Sequence, residues 1–293
     1  MQLPLIANIA AGSAREDAIE RLCAHLRDGG AEPQLLRAAR GEDLAQLART
    51  AVEAGAPLVG AAGGDGTLSA VAAALAGTKS ALGVLPLGTF NHFARDLGIP
   101  LEPAEAAATL LRGRRRTIDV GEVNGRVFIN NSSIGLYPAI VHHREKQRRR
   151  LGRSKWHAMV WAMHAVLRGH PFLNLRLELD GIEHHRRTPF VFVGNNLYRM
   201  EGFDIGARSR IDCGELSVYL TQRRGRAAFL ALAARALAGR LHQGNDFESD
   251  AVRKLRIDSR HKRLLVAMDG EIETMDLPLE YRIRPRALQV VAP

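Results

Sequence analysis

Three glycines within four positions, Gly63-Gly64-Asp65-Gly66, followed at once by Thr67, are the densest chemical signal in this sequence. Glycine removes Cβ where a backbone must come close to a ligand. An apolar run precedes the loop and a helical pattern follows it, so free N–H groups and a positive helix end converge there, and phosphate is the natural guest. Asp65 is the odd member. A carboxylate repels phosphate unless it holds a cation or takes a proton from an attacking hydroxyl. The structural alternative is a tight strand-to-helix turn in which Asp65 is the N-cap. A second loop, Pro86-Leu87-Gly88-Thr89-Phe90-Asn91, also ends a presumed parallel strand, where open α/β sheets bind ligands. Thr89 and Asn91 would add a hydroxyl and an amide beside the glycines. Either loop alone reads as a capped turn; two on neighbouring strands are harder to dismiss.

The elements that must position these loops follow from periodicity. Residues 3–9 read as a buried strand, then a Gly12-Ser13 turn and a helix over about 14–26. A helix at about 41–54 leads to a strand at 57–62, the glycine loop and the helix TLSAVAAALAG. The scheme repeats with a strand at 81–88 and the short helix HFARDLG. Apolar strands alternating with helices imply a parallel sheet covered on both faces. After Arg114-Arg115-Arg116 the texture changes to short Val-, Ile-, Leu- and Phe-rich runs at 119–131, 172–180, 189–195, 215–220, 251–258 and 263–268. These suggest an antiparallel β domain, interrupted by helices near 154–168 and 224–241, with a last β-type run at 287–293.

Composition bounds the rest. The chain has 293 residues, 46% hydrophobic and 25% charged, which excludes wholesale disorder. The net charge is +10, yet residues 1–118 carry 12 basic and 12 acidic side chains, so the whole excess lies in 119–293. That asymmetry suggests a second part facing something anionic. Cys23 and Cys213 form neither a disulfide framework nor a zinc pattern and fit a reducing, cytoplasmic compartment. No apolar run approaches the roughly 20 residues of a membrane span, so any membrane contact is expected from the surface.

The order of Gly63-Gly64-Asp65-Gly66-Thr67-Leu68, Pro86-Leu87-Gly88-Thr89-Phe90-Asn91-His92-Phe93-Ala94-Arg95 and Asp269-Gly270-Glu271 resembles the diacylglycerol kinase catalytic-domain family, which includes bacterial soluble lipid kinases and diacylglycerol, sphingosine and ceramide kinases. The resemblance implies an N-terminal α/β nucleotide-binding domain with a parallel sheet, here 1–118 plus about 285–293. A C-terminal antiparallel β-sandwich domain, 119–284, would hold the lipid, with the active site in the interdomain cleft. It further implies that Gly63, Gly64, Asp65, Gly66 and Thr67 form the ATP phosphate loop and that Gly88, Thr89 and Asn91 line the nucleotide site. Asn8 and Gly12 match a first-strand turn, with Ile9 where the family has Pro. Glu271 matches the general base that deprotonates the lipid hydroxyl, Asp65 sharing the catalytic role; alone, Asp-Gly-Glu reads as a hairpin turn. The implied cofactors are ATP and Mg²⁺. The segment Arg210–Ser217 resembles a stretch that in bacterial members of the family helps hold a structural magnesium; Asp212 is the candidate ligand here, with Cys213 and Ser217 where Asp is common. His92 also stands where the family often has Asp and is given no catalytic role.

The segment 144–155, REKQRRRLGRSK, holds seven basic side chains and one acid and runs into a helix bearing Trp156 and Trp161. It is expected to contact an anionic membrane surface, the alternative being a solvated loop beside a core helix. Nucleic acid is not an expected partner, for want of a recognisable motif; a homodimer is compatible with the reading. The expected activity is transfer of the ATP γ-phosphoryl group to a lipid hydroxyl, diacylglycerol first and a sphingoid base second. The rivals are an NAD kinase, which shares the Gly-Gly-Asp-Gly loop, and a nucleotide- or lipid-binding protein that has lost catalysis.

Overall fold

A computed structural model describes residues 1–8, 13–38, 41–135, 138, 172–201, 204–208, 210–221 and 247–293. The segment 144–155, the helices expected near 154–168 and 224–241, and Gly12 lie outside the described residues.

The first half is a doubly wound α/β layer. Its elements are β1 (Gln2–Asn8), α1 (Ser13–Asp28), β2 (Glu32–Ala38), α2 (Gly41–Glu53), β3 (Leu58–Gly63), α3 (Asp65–Leu75), β4 (Ala81–Pro86), α4 (His92–Asp96) and α5 (Pro103–Arg112). β3 and β4 are buried along their whole length, as their unbroken apolar runs require. The strands run parallel in the order β2-β1-β3-β4. α1 packs on α5 and α2 on α3, so two helix pairs cover the sheet. One continuous core joins Leu5, Ile6, Leu22, Leu44, Val59, Leu68, Leu82 and Leu110.

β2 and α5 are not among the expected elements. β2 reads Glu-Pro-Gln-Leu-Leu-Arg-Ala and alternates half-exposed positions at the end of the sheet, so no apolar run announces it. α5 carries Pro103 at its first turn and buries Ala106, Ala107 and Leu110, a helix-start signal followed by helical spacing. α3 also begins two residues before Thr67: Gly64, not Asp65, occupies its N-cap position.

The second half contains β5 (Arg114–Val123), β6 (Arg126–Phe128), β7 (Asn131–Gly135), β8 (Leu173–Leu179), β9 (Ile182–Thr188), β10 (Phe190–Asn195), β11 (Tyr198–Glu201), β12 (Asp204–Arg208), β13 (Leu216–Thr221), β14 (Phe247–Val252), β15 (Lys254–Ser259), β16 (Arg263–Met268), β17 (Glu271–Asp276) and β18 (Leu279–Ala292). β14, β13, β10, β7, β16 and β17 form a six-stranded antiparallel sheet. Its inward residues, Ile134, Val191, Val218 and Val266, meet Leu177, Leu255, Ile257 and Tyr281 of the facing strands. Period-two alternation makes this possible: in β8, Leu175, Leu177 and Leu179 are buried while Asn174, Arg176 and Glu178 are not.

β18 ties the two halves together. Its last residues pair in parallel with β4, its first antiparallel with β15, and most of its length lies against β5. The first sheet therefore runs on through β18, β15, β8 and β9. The ladder is interrupted between Arg284 and Leu288, where Pro285 has no N–H to give it. Arg286 takes a left-handed conformation (φ 51°) there, and its N–H donates to Asp119 Oδ1 at 2.8 Å.

Candidate active site

The strand order reverses between β1 and β3, and at such a switch point the carboxyl ends of the strands open into a crevice. Asn8 ends β1, Gly63 ends β3 and Gly88 follows β4 by two residues. The first- and second-loop motifs thus sit side by side, and they touch. A Cβ built on Gly88 would stand 2.6 Å from Gly64 Cα and 2.7 Å from Asn91 Oδ1. Leu87 N–H donates to Gly63 O at 2.9 Å, closing the pair from below. Gly64 and Gly88 are therefore needed for the loops to meet each other, whereas Gly63 makes room for Thr67 within the first loop. Thr67 is buried and packs back on Gly63.

Gly66 differs. The nearest heavy atom to a Cβ built there is Glu271 Oε1, at 3.9 Å. The first helical hydrogen bond of α3 joins Leu68 N to Gly64 O, so the N–H groups of 65–67 precede the helix ladder at its positive end. Asn91 holds the second loop: in a left-handed conformation (φ 51°) and nearly buried, it accepts from Gly88 N and donates to Gly88 O, both at 2.9 Å. Thr89 is exposed beside it, and Phe90, 64% exposed, stacks on the His92 ring.

Asp65 does not cap its own helix. Its carboxylate crosses to the second loop, accepting from Phe93 N at 3.1 Å and His92 N at 3.3 Å, the first turn of α4. Glu271 arrives from the second half, at the start of β17. It follows a tight turn in which Asp269 (φ 49°) and Gly270 (φ 91°) are both left-handed, so Asp-Gly-Glu is a hairpin turn as well as a site motif. Asp269 fixes that turn. Its carboxylate accepts from Ile129 N at 2.8 Å, Asn130 N at 2.8 Å and Asn131 N at 3.0 Å, and from the Ser69 hydroxyl on α3. Burial pushes the Asp269 carboxyl above the ordinary carboxylate range, against the opposing pull of these four donors. Asp269 thereby anchors the Glu271 turn to the helix that begins at Asp65.

The family model for the diacylglycerol kinase catalytic domain matches residues 2–123, and that for the YegS C-terminal NAD kinase beta sandwich-like domain matches 133–292. The chain is 31% identical over 241 residues to "Diacylglycerol kinase" of Bacillus subtilis, covering 80% of this chain and 78% of that one. The chain belongs to the diacylglycerol kinase catalytic-domain family. It is also 43% identical to "Probable lipid kinase YegS-like" of Pseudomonas aeruginosa over 125 residues, spanning 42% of this chain and 41% of that protein. A solved structure of a diacylglycerol kinase from Bacillus anthracis superposes with a TM-score of 0.73 at 19% identity, covering all of this chain and 97% of that one. The fold is thus the mixed one expected, a parallel-sheet α/β part followed by an antiparallel sheet. Asn8, both glycine loops, Asp65 and Asn91 fall within the kinase catalytic match; Glu271 and Asp212 fall within the YegS C-terminal match.

The structural magnesium that the family implies does not fit the donors as they stand. Asp212 is engaged by Arg210 Nε at 3.0 Å on the surface. The two Asp119 oxygens accept Gly214 N at 2.6 Å and Arg286 N at 2.8 Å. Cys213 offers its N–H to Asn196 Oδ1 at 2.6 Å, and the Ser217 hydroxyl donates to Asn196 O at 2.8 Å. Among the described residues no group of three His, Cys, Asp or Glu is placed to hold a metal. Magnesium wants hard oxygen ligands, and the oxygens named here already accept hydrogen bonds from N–H and O–H groups.

Two polar residues near the site escape sequence reasoning altogether. Arg208, on β12, has a fully buried side chain paired with Asp96 of α4 through Nε at 2.8 Å and Nη2 at 2.5 Å. It also donates to Ile129 O at 2.7 Å, Asn195 O at 3.1 Å and Asn130 Oδ1 at 3.0 Å, with the Tyr198 ring 5.1 Å from its guanidinium. Burial works against its charge, but Tyr198 and Asp96 outweigh that and hold it above the ordinary arginine value. The separation of 112 residues between Arg208 and Asp96 leaves no local signal.

Proposed function

We propose that this chain is an ATP-dependent lipid kinase, with diacylglycerol as first acceptor and a sphingoid base as second. The observation that carries it is the approach of Glu271 Oε1, from one half of the chain, to 3.9 Å from where a Cβ on Gly66 would stand, in the phosphate-type loop of the other. Membership of the family and the ordered motifs support the same reading. In this reading the part at 1–118 with 285–293 holds the nucleotide, the part at 119–284 holds the lipid, and the reaction takes place between them. ATP enters as its magnesium complex, whose metal neutralises developing phosphate charge.

The chain's own groups then divide the work. The N–H groups at the start of α3 receive phosphate oxygens, and the absent Cβ of Gly66 leaves them room. Asp65 holds the first turn of α4 and so keeps the second loop, with Thr89 and Asn91, beside the first. Glu271 takes the proton from the lipid hydroxyl as its oxygen bonds to the γ-phosphorus and the bond to the ADP oxygen breaks. The basic segment 144–155 would draw the protein to anionic headgroups, at about 1 kcal/mol per basic residue near the surface. No helix of the described residues is long and apolar enough to cross a membrane.

The test is a panel: labelled ATP and Mg²⁺ with dispersed diacylglycerols, sphingoid bases, ceramides and, separately, NAD. Labelled phosphomonoester lipid is expected. The NAD arm is included because the matching C-terminal family is described as NAD kinase-like. Label in NADP alone would replace the reading, and ATP binding without any transfer would make the chain a binding protein.

A further inference from the structure

Five contacts described above close into a circuit. Asp65 holds the N–H groups of His92 and Phe93, and α4 runs from there to Asp96. Asp96 binds Arg208. Arg208 grips Ile129 O and Asn130 Oδ1. The same strip, 129–131, gives its N–H groups to Asp269, two residues before Glu271, whose carboxylate returns to Gly66 next to Asp65. The strip is thus clamped from both sides, by a carboxylate on its N–H groups and by a guanidinium on its oxygens. A fully buried charged side chain with this many partners is costly to maintain unless its geometry is used.

We propose that Arg208, held by Asp96, is a positioning residue: it locks the second loop to the strip that carries Asp269 and so sets where Glu271 stands against Gly66. This rests on the kinase reading above, in which Glu271 must meet the acceptor hydroxyl. Arg208 touches none of the reacting groups. Its effect is transmitted through 129–131, and displacements of about an ångström at a reacting centre can cost on the order of a hundredfold.

The test uses the full chain with Asp96→Asn, Arg208→Lys and the double variant, on whichever lipid the wild type accepts. Asp96→Asn keeps the shape and one acceptor oxygen but not the charge. Arg208→Lys keeps the charge but cannot reach Asp96 and the strip together. Each single variant is expected to lose about tenfold or more in kcat, with the KM for ATP moving less than about threefold. The double variant should lose no more than about twofold beyond the worse single, because both residues act through one contact. Turnover within about twofold of wild type in both singles, or losses that multiply in the double, would overturn the proposal. Should Arg208→Lys not fold, Asp96→Asn alone decides on the same criterion. Amide hydrogen exchange serves as the second readout and needs no substrate. Exchange should quicken together at 92–93, 129–131 and 269–271; quickening at 92–93 alone would sever the circuit. If the wild type phosphorylates no lipid, the kinase reading fails, while the exchange result still accepts or rejects the circuit.

Discussion

Gly66→Ala separates the two explanations of the glycine loop more cleanly than any change at its neighbours. The added carbon meets nothing closer than Glu271 Oε1 at 3.9 Å, an ordinary contact, and Gly66 lies in the first turn of α3 with no left-handed φ. Exchanging a helical Gly for Ala should leave the fold intact and stabilise it by about 0.5–1 kcal/mol. If the loop were only a tight turn, nothing else would change. If it receives phosphate, the methyl occupies space a phosphate oxygen needs at about 2.9 Å from a backbone N–H. Pushing the nucleotide out by about an ångström should then cost on the order of a hundredfold in kcat/KM, roughly 2.7 kcal/mol of transition-state stabilisation. Gly88→Ala is the contrast. Its Cβ would stand 2.6 Å from Gly64 Cα, so it should lose about 1–3 kcal/mol of stability by overpacking, with activity falling in step. Urea unfolding, nucleotide binding and lipid phosphorylation on the same preparations give the comparison. A Gly66→Ala protein with wild-type ATP affinity and turnover would refute the phosphate assignment.

Three further outcomes are expected. Asp269→Asn sets an amide among four donors, so it should cost about 2–4 kcal/mol by urea unfolding and lower kcat by displacing Glu271; unchanged stability would mean that the carboxylate is not the anchor. Burial pushes the Tyr198 hydroxyl up to about 12, so its neutral form stabilises the fold fully below about pH 10, and that contribution is lost as pH rises toward 12. Between pH 8 and 11 the wild type should therefore lose about 1.4 kcal/mol that Tyr198→Phe does not, and equal losses in the two proteins would reject this. Neutralising Arg148, Arg149 and Arg150 together should weaken binding to anionic vesicles, with a smaller salt dependence, and unchanged binding would return the net charge of +10 to mere composition.

The parts of the site legible in the sequence are those built from neighbours. Gly63-Gly64-Asp65-Gly66 and Gly88-Thr89-Phe90-Asn91 each follow a buried strand and precede a helix, so composition and order place them together at one end of the sheet. What each residue does there is set by distant partners. Asp65 reads equally well as the cap of its own helix, but its acceptors' donors lie 27 and 28 residues away on α4. Asp269 and Ser69 are 200 residues apart, and no spacing rule reaches that far. Strands behave likewise. β3 and β4 are announced by apolar runs, whereas β2 mixes Glu, Pro, Gln and Arg because it needs only partial burial. The β-type run expected at 287–293 is only the end of β18, which starts at Leu279 and bulges at Pro285 against Asp119.

In the proposed reaction the proton transfer turns on Glu271. Glu271→Gln keeps the size of the side chain and leaves Asp269, the Asp-Gly turn and both glycine loops untouched, so the protein should fold and bind ATP as the wild type does. Its transfer of labelled phosphate to the accepted lipid, measured at saturating ATP, should fall by at least about a hundredfold, the usual weight of a general base. Transfer at a rate near that of the wild type would contradict the central claim that this carboxylate takes the proton from the acceptor hydroxyl.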